Sequence, residues 1–218
     1  MSMTGYAAAR ANMVDCQIRT ADVTDPELIA AIRIVPRELF VPKGRESLAY
    51  MGEAIDAGGR LLLDPRTFAK LAQLADPKPG DSVLDIGGGT GYSAAVLAHL
   101  TGTVVALEED AALSQKAVEI LAQTGAANVK AVTGKLAEGH AADAPYDVIF
   151  LNGSVPGRPD KLLAQLKPGG RLVGIVTDSG IGKAHIFVKA SSGTSSRIAF
   201  DSSAAPLPGF AAAPSFVF

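Results

Sequence analysis

The segment Val83-Leu84-Asp85-Ile86-Gly87-Gly88-Gly89-Thr90-Gly91-Tyr92 places an acid near the end of a short apolar run. Glycines then carry the chain into a helical pattern. In an open α/β sheet, ligands bind beyond the carboxyl ends of the strands, where the winding reverses. Glycine there lets the backbone approach a ligand closely, and a helix that follows offers N–H groups to an anion. The glycines at 87, 89 and 91 do not make the Gly-x-Gly-x-x-Gly of a dinucleotide site, and no Gly-Lys-Ser/Thr phosphate loop is present. The next apolar run, Val104-Val105-Ala106-Leu107, ends in Glu108. An acid at that place accepts both hydroxyls of a ribose, so the pair of features points to a nucleoside ligand. Glu108 by itself suits an adenosyl or a dinucleotide compound equally.

These residues need a scaffold, and the chain supplies an alternating one. Strands are predicted over 82–86, 103–107, 128–133, 147–151 and 171–176, with helices over 92–100, 111–124 and 159–166 between them. That order predicts a doubly wound, Rossmann-like α/β sheet, mostly parallel. Two further strands, 184–190 and 196–200, flank the turn Ser191-Ser192-Gly193-Thr194 and predict an antiparallel C-terminal hairpin. Ahead of residue 80 the pattern is helical. Asp25-Pro26 and Asp64-Pro65 both read as a capping acid followed by proline at the first helical position. The first dozen residues read as an arm of small side chains. Pro77-Lys78-Pro79-Gly80 is a turn, so residues 1–79 are expected to form an N-terminal helical extension on the substrate side. Residues 80–218 then form the nucleoside-binding unit.

Composition narrows the class. The chain has 218 residues, 48% hydrophobic and 19% charged, with 20 basic and 22 acidic side chains and a formal charge of −2. That is a chain with a real core rather than a disordered one, and it does not suit a surface that coats nucleic acid. No run approaches the roughly 18 apolar residues of a membrane helix, and no secretory leader opens the chain. A cytoplasmic protein is therefore expected, a monomer or small homo-oligomer with no nucleic-acid or membrane partner. Cys16 stands alone, and His99, His140 and His185 fall at no metal-ligand spacing, so no metal is expected.

From Met13 to about Val176 the chain resembles the protein-L-isoaspartate O-methyltransferase family. The resemblance rests on Met13-Val14-Asp15-Cys16-Gln17-Ile18, Val35-Pro36-Arg37-Glu38-Leu39-Phe40-Val41-Pro42, Ala49-Tyr50, the loop and helix over 83–98, and Asn128-Val129. Ala144-Pro145-Tyr146-Asp147-Val148-Ile149 and Leu166-Lys167-Pro168-Gly169-Gly170-Arg171-Leu172-Val173 complete it. The Val-Pro-Arg-Glu stretch belongs to this family, whereas the glycine loop and the Pro-Gly-Gly turn are general to methyltransferases. The resemblance implies methyl transfer from S-adenosylmethionine, leaving S-adenosylhomocysteine, to the carboxylate of an isoaspartyl residue in a damaged protein or peptide. The ester then cyclises and reopens, which permits repair. The cofactor is expected on Asp85, Gly87, Gly88, Gly89, Gly91, Glu108 and Glu109, with backbone groups of Lys135 and Leu136 bordering the adenine and Asn152 facing it from the end of its strand.

The same resemblance exposes departures. The family reads Gly-Gln-Thr-Ile-Ser-x-Pro where this chain reads Gly59-Arg60-Leu61-Leu62-Leu63-Asp64-Pro65. Leu63 stands at the position of a serine that donates near the reacting carboxylate. Arg60 becomes the candidate carboxylate receptor, with Tyr50, Leu61 and Leu62 on the substrate side. Gly134-Lys135-Leu136 replaces Gly-Asp-Gly, so the carboxylate that meets the adenine is absent. Two further readings stay open: another acceptor on the same scaffold, or an adenosyl-binding protein without transfer. Cys16 is expected to be buried, His99 to close the helix after the loop, and His140 to sit in a solvated loop. Phe210, Phe216 and Phe218 are expected to pack as an edge strand.

Overall fold

A computed structural model describes residues 3–178 and 180–210. The small-residue start is not an arm: it forms a helix, α1 (Met3–Met13), as its alanines favour. Arg10, in the last turn of that helix, donates at 3.1 Å to each of the carbonyls of Arg33 and Ile34. Those carbonyls end α2 (Pro26–Ile34), where they lack helical partners. The capping acids behave as their sequence suggests. Asp25 accepts from the N–H groups of Glu27 and Leu28, and Asp64 from those of Arg66 and Thr67 at the start of α3 (Pro65–Ala75). Cys16 is exposed rather than buried, because the wide helical turn Val14–Ile18 spends its inward positions on Val14 and Ile18.

Between these helices lies a short antiparallel hairpin, β1 (Ile55–Asp56) and β2 (Leu61–Leu62). The sheet follows: β3 (Ser82–Ile86), β4 (Thr103–Glu108), β5 (Val129–Thr133), β6 (Tyr146–Val155), β7 (Leu166–Asp178), β8 (Ile181–Ala190) and β9 (Gly193–Asp201). Helices α4 (Tyr92–Ala98), α5 (Ala111–Gln123) and α6 (Asp160–Ala164) connect its parallel part. The order is β5-β4-β3-β6-β7-β8-β9. Strands β3 to β7 run parallel, while β8 and β9 pair antiparallel. This is the doubly wound sheet with an antiparallel end that the alternation predicts. β6 and β7 run past their predicted ends, since ladder pairing continues through less apolar residues.

The winding reverses between β3 and β6, so the crevice of the sheet opens there. One face is covered by α1 to α5, in a core that joins Met13, Leu28, Phe40 and Phe68 to Val83, Val104 and Phe150. The other face carries α6 and Leu207 over Leu84, Ile86, Leu136 and Ile149. An aromatic chain Phe40–Tyr92–Phe68–Phe150, with centroids 5.6, 5.4 and 5.7 Å apart, ties the N-terminal segment and α3 to α4 and β6. Each contact of this kind adds about 0.5–1.5 kcal/mol beyond its buried area. Phe210 lies in no strand; the chain has left the sheet at Asp201, and Phe210 packs partly buried against the α6 side. Phe216 and Phe218 lie outside the described residues. Among the described residues no helix is long and apolar enough to cross a membrane.

Candidate cofactor site

The reversal point is laced together by side chains from three elements. Asp85, near the end of β3, is buried. Its Oδ2 accepts from Ser93 Oγ at 2.7 Å, and its Oδ1 from Asn152 Nδ2 at 2.7 Å. Asn152 also donates to the Ile86 carbonyl at 3.1 Å, so β6 is clamped to β3 across the crevice. Burial raises the Asp85 carboxyl to about 6; Ser93 and Asn152 oppose that rise and the nearby Glu108 adds to it. Glycine is required beside it: a Cβ at Gly88 would fall 2.7 Å from both Asp85 Oδ2 and Ser93 Oγ.

Glu108 ends β4 with its side chain 5% exposed. Three backbone groups donate to it, Gly89 N to Oε2 at 3.1 Å and Glu109 N and Asp110 N to Oε1 at 2.8 and 3.2 Å. Arg60 adds two more, Nε to Oε2 at 3.1 Å and Nη2 to Oε1. Five donors thus converge on two oxygens that together offer about four lone-pair sites. The β1–β2 turn brings Arg60 to this place. Asp56 Oδ1 holds the N–H groups of Gly58 and Gly59 at 2.9 and 2.8 Å, and Ala57 N donates to the Arg60 carbonyl at 2.8 Å. The Arg60 stem crosses the loop, with Cγ and Cβ at 3.0 and 3.1 Å from where a Gly89 Cβ would stand. The cavity left between the loop and β4, bounded by Asp85, Gly88, Gly89, Gly91 and Glu108, is about 10 Å³. That is room for no more than about one water.

The structure therefore brings together Arg60, Asp85, Gly88, Gly89, Glu108 and Asn152. Leu62 approaches the same loop, its Cδ2 3.9 Å from the Gly89 Cβ position, and buried Leu136 faces Gly87. Lys135 and Glu109 are exposed, and Glu109 meets the cluster through its N–H. Leu61 is exposed, while Leu63 is buried and its carbonyl accepts from Arg37 Nη2 at 2.7 Å. Arg37 is itself buried, stacks 4.5 Å over Tyr92 and donates to the Ala49 carbonyl, so it fixes the hairpin's end against α4. Tyr50 stands away from the loop. Its hydroxyl donates to Glu38 and accepts from Arg10 Nε at 3.1 Å, and burial followed by Glu38 pushes its titration well above the usual phenol range.

Two participants were not foreseen from sequence. Ser93 lies in the first turn after the loop, where a hydroxyl can reach back to the strand acid. Leu207 comes from a strap pinned to β6, Ser154 N donating to Ala205 O and Leu207 N to Ser154 O, each at 2.8 Å. Its Cδ2 stands 2.6 Å from a Cβ position at Gly87, so it covers the first glycine of the loop.

Comparison with known proteins gives a consistent answer. The profile of the family protein-L-isoaspartate(D-aspartate) O-methyltransferase (PCMT) matches residues 8–201. A protein-L-isoaspartate O-methyltransferase 1 of Rhodopseudomonas palustris is 40% identical over 171 residues, covering 78% of this chain and 70% of the relative. A protein-L-isoaspartate O-methyltransferase of Methanoculleus marisnigri is 38% identical over 165 residues, 75% of each chain. A solved protein-L-isoaspartate O-methyltransferase superposes with a TM-score of 0.82 at 26% identity, over 93% of this chain and 67% of the other. A Plasmodium falciparum structure in complex with S-adenosyl-L-homocysteine shares the fold, with a TM-score of 0.77 at 17% identity over 93% and 97% of the two chains.

Proposed function

This chain belongs to the protein-L-isoaspartate(D-aspartate) O-methyltransferase family, and from that premise we propose that it methylates the carboxylate of isoaspartyl residues in protein or peptide substrates. Members of the family are S-adenosylmethionine-dependent protein carboxyl methyltransferases. The observation that carries the reading is the pair Asp85 and Glu108, at the carboxyl ends of adjacent parallel strands beside the reversal point, with a glycine loop between them. The donor set fits the cofactor in kind: an anion for its ammonium group in Asp85, a two-oxygen acceptor for its sugar in Glu108, and side-chain-free backbone at Gly88 and Gly89. Leu136 supplies an apolar surface beside Gly87, and Lys135 stands where the resemblance expects an acid. Arg60 engages both Glu108 oxygens and its stem lies against Gly89, so binding of the sugar at Glu108 requires that the side chain withdraw.

When bound, the cofactor supplies an electrophilic methyl group on a sulfonium centre. The acceptor carboxylate, with an ordinary titration near 4, is ionised at neutral pH and needs no general base. What remains for the chain is alignment and exclusion of water, and alignment alone is worth up to about 7–11 kcal/mol in favourable intramolecular cases. The rigid parts suit that role: the clamp of Asn152 across β3 and β6 and the aromatic chain under α4 leave the loop little freedom. The reading includes repair in the cytoplasm as a monomer or small homo-oligomer, and the unpaired Cys16 accords with a reducing compartment.

A paired assay tests it. Labelled S-adenosylmethionine is incubated with an isoaspartyl peptide and, separately, with its aspartyl twin. Base-labile label on the first alone is the expected result. Calorimetric binding of S-adenosylhomocysteine with no label on either peptide would defeat the acceptor assignment and favour an adenosyl-binding protein without transfer.

A further inference from the structure

Arg60 stands in a contradictory place. Its guanidinium makes the two-point contact that selects a carboxylate, and the carboxylate it holds is the one that a bound nucleoside would need. Its side chain is 12% exposed, so a guanidinium left there without an anion would be costly. Withdrawal can be confined to the side chain, because Asp56 and the Ala57–Arg60 backbone bond brace the turn beneath it. The other acids of the hairpin and the loop are engaged: Asp56 in the turn, Asp64 on the first turn of α3, Asp85 with Ser93 and Asn152. Glu108, in contrast, keeps three backbone donors when Arg60 leaves.

Resting on the function proposed above, we propose that Arg60 is the clamp for the acceptor's carboxylate and that cofactor binding arms it. The cofactor's two ribose hydroxyls replace the two Arg60 donors on Glu108. The freed guanidinium, hinged on the hairpin at the rim of the loop, then takes the isoaspartyl carboxylate of the acceptor. The order of binding is thereby fixed, cofactor before acceptor. The arrangement also answers the loss of hydroxyls from the hairpin: Arg60 recognises the carboxylate in place of the side chains that Leu61 and Leu63 do not provide.

The test compares Arg60→Met and Arg60→Lys with the unaltered chain, by calorimetry with S-adenosylhomocysteine and by steady-state methylation of an isoaspartyl peptide. Arg60→Met is expected to bind S-adenosylhomocysteine about tenfold tighter, since no ion pair has to be opened. Its KM for the peptide should rise about tenfold or more. Arg60→Lys, which keeps the charge and loses the fork, should fall between in both. Unchanged or weaker cofactor affinity in Arg60→Met overturns the displacement, and an unchanged peptide KM overturns the clamp. If neither the unaltered chain nor Arg60→Met binds S-adenosylhomocysteine, the cofactor reading itself falls. If the unaltered chain binds it but methylates no isoaspartyl peptide, the acceptor reading falls and the affinity ratio still decides the displacement.

Discussion

The candidate site has two walls of different construction. One is the sheet wall, β3 with its glycine loop and the end of β4; the other is the hairpin wall, Ile55 to Leu63. In the sheet wall Asp85 finds Ser93 eight positions along the chain, and Glu108 finds the N–H groups of its own successors. The hairpin wall is held from afar, by Arg37 on the Leu63 carbonyl and by the ion pair between Arg60 and Glu108. The sheet wall keeps the residues that suit a nucleoside. The hairpin wall carries leucines at 61 to 63 and an arginine at 60.

The largest expected effect comes from breaking the sheet wall. Gly89 has φ of +60°, a left-handed backbone that strains a β-branched residue, and any Cβ there meets the Arg60 stem. Gly89→Val is expected to abolish binding of S-adenosylhomocysteine in calorimetry, a loss of more than about a hundredfold, equivalent to roughly 3 kcal/mol. Affinity equal to that of the unaltered chain would mean that the ligand does not use this loop, and the contrast between the walls would dissolve.

What could be read beforehand follows the same divide. The strands at 82–86 and 103–108, the glycine loop and the capping acids are local patterns of apolar period, glycine and Asp-Pro, and the structure has them where those patterns lie. The ion pair of Arg60 with Glu108 joins residues 48 positions apart, and Leu207 reaches Gly87 from a segment with no periodic signature. Neither leaves a trace in local spacing. The helix at Met3–Met13 was legible in principle from its alanines, whereas its anchoring, Arg10 on α2 and Met13 in the core, is again a set of distant contacts.

A second prediction sharpens the account of the sheet wall through its buried acid. Asp85 titrates at about 6 in the fold and near 3.9 when unfolded. Between those values the folded chain binds more protons than the unfolded one, so stability falls as pH rises from about 4 to 6 and the penalty is complete above that. That difference corresponds to at most roughly 3 kcal/mol. Asp85→Asn is expected to flatten that slope and to raise the melting temperature at pH 7 by about 5–10 °C. The same change should weaken S-adenosylhomocysteine binding, since the ammonium group loses its anion. Equal pH slopes in the two proteins would show that Asp85 is not carrying this burden.

The smallest effect concerns the hairpin wall. Leu63 is buried, so shortening it costs about 2–5 kcal/mol of stability whatever replaces it. Leu63→Ser and Leu63→Ala share that loss and differ chiefly by one hydroxyl, which makes the pair the proper comparison, assayed well below their lowered melting temperatures. A hydrogen bond to a charged group is worth about 1.5–3 kcal/mol, or roughly ten- to a hundredfold in rate. With Arg60 as the clamp, Leu63→Ser is expected to methylate an isoaspartyl peptide at the rate of Leu63→Ala, and a gain of about tenfold or more would show that the missing hydroxyl limits this chain. Equal rates would place carboxylate recognition in the hairpin wall on Arg60 alone. The leucines would then mark a wall that recognises the acceptor by charge.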